Sequence, residues 1–538
     1  MSVFVGFFVT SGAGIQAMLA LLVLLLPCTL LVAAGLVSQT RVKLNLVWRV
    51  AQLGAILAIV TAILSALSVW LYGSASVSVD AFLPTVRVDA LSCLMLLLTS
   101  FLGWVILTYS RHYLAGDQGL RRYLCWLCLT LANVWLLVTL NNLFLVCVAW
   151  STSSLTLHQL LIFYKNRPAA LIAAHKKFII SRVADVLTWG AALLIYLQLN
   201  TLQIEQIPLA LAALPQPPIG IQIAALLFVI SAILKCAQLP FHGWLLQVME
   251  APTPVSALLH AGIVNIGGFI LLRMTGLIET APFAQLLLVV VGSVTASLAA
   301  LVMMTRISVK VMLAWSTCAQ MGFMLLEIGL GAYALALFHL LAHSLYKAHA
   351  FLSSGETVSR RVVMQIAPAN HRLNTSQKLL AITGLMSGIS LAACLTGLDP
   401  RQDPSIRLFG GVLVGSLLPL VNAPYAQRAW SQILLLVTQA FGLALVYGIW
   451  HFIFLGFLPP AATHVSMFGL IFAGSCLFGL LIVQQVVLSQ PQGALSRWLH
   501  PRAFAGFHLD EVVTHLTLRI WPARLPVPVK TKLLKEIV

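Results

Sequence analysis

The chain has 538 residues, 60% of them hydrophobic and only 8% charged, with a mean hydropathy of +0.99. That composition excludes a water-soluble domain and a disordered chain, and marks an all-α polytopic membrane protein. The formal charge of +17 would suit nucleic-acid binding in a soluble protein, but here the positions of the basic residues assign it to membrane topology, with no nucleic acid implied.

No basic stretch precedes the first apolar run, so a cleaved signal peptide is not expected. Apolar stretches long enough to cross a ~30 Å hydrocarbon core centre near residues 26, 60, 100, 131, 154, 189, 229, 265, 294, 320, 344, 388, 416, 443 and 476, with the one at 416 the weakest. Taking alternate loops as cytoplasmic gathers most basic residues inside. Arg41, Lys43, Arg49, Arg111, Arg121, Arg122, Lys165, Arg167, Lys176, Lys177, Arg306, Lys310, Arg360, Arg361, Arg372, Lys378, Arg428 and the basic residues from Arg497 to Lys535 fall there. Only Arg87, Arg273, Arg401 and Arg407 then lie outside. This predicts an external N-terminus, an internal C-terminus and a multi-pass membrane protein.

Charged and imidazole side chains inside these spans carry the functional reading, because a cation at mid-membrane costs about 2.5–3.5 kcal/mol even on the lenient insertion scale. His158 follows Ser151 by seven residues in AWSTSSLTLHQLLIFY and shares its helix face. Arg182 and Asp185 are spaced i, i+3 in FIISRVADVLTW, a structural ion pair or a charged stop on an ion path. Lys235 precedes Pro240 in ISAILKCAQLPFHGWL, and broken helices at membrane depth are tolerated where they line a protein-buried or wet cavity. His260 lies about two turns into the next span, after Pro252 and Pro254. His339, His343 and Lys347 recur at i, i+4 and i+8 in ALFHLLAHSLYKAHAF and form one stripe, a candidate proton relay.

The nine cysteines are scattered singly except for Cys125 and Cys128 in CWLC, which has no second ligand pair and reads as coincidence within a helix. The sequon Asn374-Thr375-Ser376 falls in a loop assigned to the cytoplasm. With no phosphate loop, nucleophile elbow or haem motif, neither a cofactor nor an enzyme active site is expected in this chain.

The stretches KCAQLPFHGWLLQVMEAPTPVSALLHAG, KVMLAWSTCAQMGFM and FHLLAHSLYKAHAFLSSG resemble the antiporter-like subunit family. This family comprises the large proton-pumping subunits of respiratory complex I, the related multisubunit sodium/proton antiporters, and the B subunits of DAB inorganic-carbon accumulation complexes. The similarity covers roughly residues 80–360. It implies two inverted five-helix repeats with broken helices, at 121–276 and 277–423, flanked by N-terminal helices at 1–120, C-terminal helices at 424–490 and a cytoplasmic or surface tail at 491–538. It also implies an ion path through Lys235, His260, His339, His343 and Lys347, with Arg182 and Asp185 as the family's charged pair and His158 beside it.

Two departures qualify the resemblance. Complex I members place a glutamate after a Gly-Trp as the lysine's partner, whereas this chain reads Ala149-Trp150-Ser151, so the group replacing that carboxylate is left open. The second repeat's broken helix carries no lysine or glutamate before Asp399. The chain also leaves no room for the long lateral helix of the largest complex I subunit. Together these features are most similar to the DAB B subunits. The resemblance then implies a cation-conducting subunit, for protons or sodium ions, coupled to a large peripheral carbonic-anhydrase-like partner that holds zinc. The alternative is a proton-pumping subunit of a complex I type NADH dehydrogenase or of an Mrp-type antiporter.

Overall fold

The computed structural model describes residues 12–39, 41–77, 85–247, 250–356, 373–398, 404–422, 429–454 and 466–522. Long apolar runs become helices because lipid offers no partner to a backbone amide or carbonyl, and a helix satisfies both internally. In chain order they are α1 (Gly12–Ser38), α2 (Leu44–Tyr72), α3 (Ala90–Tyr113), α4 (Leu120–Thr139), α5 (Leu143–Leu161), α6 (Pro168–Leu199), the short α7 (Gln206–Ala212), α8 (Ile219–Lys235) and α9 (Gly243–Gln247). Then come α10 (Thr253–Arg273), α11 (Pro282–Met304), α12 (Val309–Gly329), α13 (Tyr333–Leu352), α14 (Thr375–Thr396), α15 (Pro404–Asn422), α16 (Ala429–Phe454), α17 (Met467–Ser489), α18 (Ala494–Phe504) and α19 (Glu511–Ile520). Each predicted centre lies inside one of these helices, and among the described residues 12 are long and apolar enough to cross a membrane. The chain is a multi-pass, all-α membrane protein.

Helix starts follow local chemistry. Proline occupies the first turn of α6, α10 and α11, where its absent N–H costs nothing. Asp89 caps α3 by accepting from the Ser92 amide at 2.8 Å, and Asn374 with Gln377 forms a reciprocal capping box on α14. Packing between α11 and α12 depends on small residues: a Cβ at Gly292 would lie 2.6 Å from the Gly322 carbonyl oxygen, so the two backbones touch directly.

Polar contacts sort the connections into two ends. At one end the antiparallel pair β1 (Ala75–Val77) and β2 (Val86–Val88) bridges to Leu140, Asn142 bridges to Gln203, and Arg273 pairs with Asp89. At the other end Arg121 donates to the carbonyls of Val37, Gln39 and Val42, Arg167 meets Glu250, and Arg306 donates to Ala503. Alternate connections therefore share an end, as the charge pattern requires.

Two expectations need correction. Lys176 and Lys177 lie within α6, buried, not in a polar loop. The reason is length: at 1.5 Å per residue the 32 residues of α6 extend about 48 Å, well beyond a ~30 Å core, so its first turns sit at the membrane edge and their lysines find partners in the protein. Secondly, the break after α8 begins at once. Lys235 is the last helical residue, Ala237 takes a left-handed φ of 52°, and the helix resumes at Gly243, so the lysine already stands at the edge of the break, ahead of the Pro240 expected to begin it. Asp399 lies outside the described residues.

Candidate functional site

The break places Lys235 where a carboxylate from a neighbouring helix can reach it. Its Nζ donates to Asp185 Oδ1 of α6 at 2.6 Å, and both side chains are 8% exposed. The other Asp185 oxygen, Oδ2, is 2.7 Å from Arg182, whose side chain remains 31% exposed. On its open side the ammonium sits 3.8 Å from the centroid of the Trp150 ring, an attraction that strengthens when desolvated. The carboxylate that meets Lys235 in this structure is therefore Asp185. Ser151 contributes its backbone carbonyl, which accepts from Arg182 at 3.4 Å. The i, i+3 pair was legible in sequence; its third member, fifty residues onward, was not.

A second group lies along α12. His260 occupies a π-helical turn, Leu259–Ile263, within α10. Such a bulge leaves a local irregularity of the kind common at functional positions. The His260 Nδ1 is 3.1 Å from Thr317 Oγ1, and its ring stacks on Phe351 at 4.3 Å between centroids. Thr317 Oγ1 and Lys347 Nζ both donate to the Leu313 carbonyl, at 3.1 and 3.0 Å. His260, Thr317, the Leu313 carbonyl and Lys347 thus form one connected polar string among fully buried residues, with the carbonyl of a helix as its junction. Asn265 and Ser344 hold α10 against α13 beside it through a 2.6 Å hydrogen bond.

Along α13 the stripe continues from Lys347 through buried His343 to His339, whose ring centroid lies 6.1 Å from that of His343. His339 Nδ1 meets Glu327 Oε2 at 2.9 Å. Glu327 is 1% exposed and was not singled out in the sequence. A lone acid in MGFMLLEIGL carried the same signal as the lone lysines. Beyond this pair lies a mainly apolar cavity of about 710 Å³ between α12–α13 and α14–α17.

His158 stands apart from the stripe. It packs against Phe178 and Trp521, at 5.2 and 6.3 Å between ring centroids, near the tail. The neighbouring Lys177 donates to the Ser154 carbonyl and hydroxyl at 2.6 and 2.7 Å, on the same stretch of α5. Among the described residues no cluster of three or more His, Cys, Asp or Glu side chains could hold a metal ion.

A broken helix beside a buried Lys–Asp pair, with a second buried group of imidazoles and a lysine, is the arrangement of an antiporter-like membrane subunit. The NADH:quinone oxidoreductase/Mrp antiporter transmembrane family model matches residues 140–397, and that of the complex I chain 5 N-terminus matches 76–124. The chain is 41% identical over 456 residues to the probable inorganic carbon transporter subunit DabB of Hydrogenovibrio crunogenus, covering 84% of this chain and 86% of that one. It is 35% identical over 329 residues to NADH-quinone oxidoreductase subunit L of Mycobacterium tuberculosis, covering 60% of this chain and 50% of that one. In solved structures the fold matches an Mrp complex from Dietzia sp. DQ12-45-1b, with TM-score 0.53, 23% identity and coverage of 95% of this chain and 57% of that one. It also matches the archaeal membrane-bound sulfane sulfur reductase, with TM-score 0.58, 16% identity and coverage of 93% and 99%. The chain belongs to the antiporter-like family of NADH:quinone oxidoreductase and Mrp membrane subunits, together with the DabB inorganic carbon transporter subunits.

Proposed function

We propose that this chain is the cation-conducting membrane subunit of a two-component inorganic-carbon uptake complex in a bacterial inner membrane. Its N-terminus lies outside, and it passes protons or sodium ions down their gradient. The partner is a large peripheral subunit with carbonic-anhydrase-like chemistry at zinc, and this chain itself is not an enzyme. The observation that carries the reading is the buried Lys235–Asp185 pair beside the helix break, together with a second buried polar group of His260, Lys347, His343 and His339. An ion entering the break weakens the pair, and the freed charge is compensated along the stripe. Arg182 stays paired with Asp185 when Lys235 gives up its proton, and His158 marks the tail-side approach.

The energetics suit carbon accumulation. One charge moving down ~150 mV releases about 3.5 kcal/mol, scaled from ~2.3 kcal/mol per 100 mV. At ~1.4 kcal/mol per decade that sustains a concentration ratio of roughly a few hundred. Identity with DabB over most of that protein's length supports this reading over a redox pump. The second reading, a proton-pumping subunit of a complex I type or Mrp-type assembly, is favoured by the likeness to subunit L.

Affinity purification from native membranes with metal analysis separates the two. One large zinc-bearing partner is expected, whereas flavin and iron–sulfur subunits would establish the redox pump. Uptake of labelled bicarbonate that survives collapse of both proton and sodium gradients would refute ion coupling.

A further inference from the structure

The described part of the tail is not a solvated end. α18 packs against α11 and α17, α19 and the Asp510 that precedes it fold back against α6 and the break between α8 and α9, and the turn joining the two helices is unusual. Gly506, Phe507 and His508 all take positive φ, at 66°, 53° and 56°. A phenylalanine and a histidine adopt that conformation only where surrounding contacts impose it. The contacts are there: Arg306 donates to the Ala503 carbonyl at 3.2 Å with its guanidinium over the Phe504 ring, and Trp521 stacks on His175 at 3.9 Å and 8°.

What this hook delivers is one carboxylate. Asp510 Oδ2 accepts from Lys176 Nζ at 2.7 Å, and Thr514 Oγ1 is 2.8 Å from the same nitrogen. Lys176 has no exposed side-chain surface, while Asp510 is 25% exposed. The other oxygen, Oδ1, has no hydrogen-bond partner and rests against Gly243 at the start of α9, where a Cβ would lie 1.6 Å from it. Only glycine leaves room for that seat. Asp510 also lines a cavity of about 380 Å³ whose polar wall is His242, Arg306, His508, Glu511 and His515. One carboxylate therefore stands between a polar cavity and a fully buried amine on α6, the helix that carries Asp185 about 13 Å further along its axis.

We propose that Asp510 is the proton-exchange group at the tail-side mouth of the ion path, held in the helix break by the α18–α19 hook. A proton arriving from the cavity binds the Asp510 carboxylate. Lys176 gives its own proton to the Nζ of Lys177, the next residue of α6, when that amine is neutral, and is recharged from Asp510. One proton has then moved and both groups return to their starting state. This rests on the ion-path reading above.

The test measures potential-driven proton entry, with an enclosed pH-sensitive dye, into vesicles from cells expressing the full chain with its native partners. Asp510→Asn keeps the shape and removes the acid, and is expected to slow entry about a hundred-fold, the low end of what a positioned proton-transfer group contributes. Asp510→Glu should recover much of the rate. Lys176→Met with Asp510→Asn leaves no unpaired buried charge, so it folds whether or not the single variant does. The relay predicts that it stays slow, and recovery to the unsubstituted rate would reduce the pair to a structural latch and overturn the proposal. Wild-type flux in Asp510→Asn would do the same. Lys235→Ala is the control: flux lost there but normal in Asp510→Asn removes only this inference, whereas flux intact in Lys235→Ala removes the path itself.

Discussion

Replacing Asp185 by alanine isolates the interaction at the centre of the first half. The carboxylate serves two cations in unequal surroundings. Lys235 and Asp185 are each 8% exposed at 2.6 Å, whereas Arg182 keeps 31% of its side chain exposed. Removing one partner of a buried pair strands the other, at about 3–5 kcal/mol; the Arg182 arm, partly screened by solvent, adds about 0–1 kcal/mol. Asp185→Ala should therefore destabilise the protein by roughly 3–5 kcal/mol. Lys235→Ala should cost less, because Asp185 then retains Arg182, and the double variant should cost less than the two combined, with a coupling energy of about 1–3 kcal/mol. Reversible denaturation in detergent, followed by near-ultraviolet dichroism of the tryptophans, measures all three. Additivity within about 0.5 kcal/mol would mean that the two side chains do not share a charge interaction, and the reasoning would fail.

At the opposite end of the bundle, burial alone would raise the Asp89 carboxyl, but Arg273, Arg87 and the Ser92 donors outweigh it and hold it below the ordinary carboxylate range. A depressed folded value gives stability that is complete above about pH 4 and is lost as pH falls through the folded value; melting temperature should drop there, and Asp89→Asn should flatten that drop, while an identical acid profile in the variant would contradict the assignment. Glu327→Gln keeps the shape at His339 and removes the charge. It should reduce ion flux with little change in melting temperature, and an unchanged flux would take Glu327 off the path. Gly292→Ala would push a methyl to 2.6 Å from the Gly322 carbonyl, an overpacking expected to cost about 1–3 kcal/mol; a melting temperature equal to that of the parent would show that α11 and α12 separate freely.

The helices were legible because apolar length is a local property, and every predicted centre falls in a helix. The buried lysines and histidines were legible one at a time, since a lone lysine or histidine in an apolar run signals itself. Their partners were not. Asp185 reaches Lys235 across fifty residues and Asp510 reaches Lys176 across 334, and no periodicity within one helix encodes such pairings. The serine at position 151 reads as a lost carboxylate until the fold brings another to the same ammonium from α6. The two lysines of AAHKKF looked like loop charges because sequence windows assume spans of about 20 residues, and α6 has 32.

The account stands most directly on charge movement through the two buried lysines. In vesicles carrying the native complex under an imposed membrane potential, Lys235→Ala and Lys347→Ala should each abolish cation entry while expression and partner binding persist. Entry at the unsubstituted rate in either variant, with the protein folded and assembled, would contradict it.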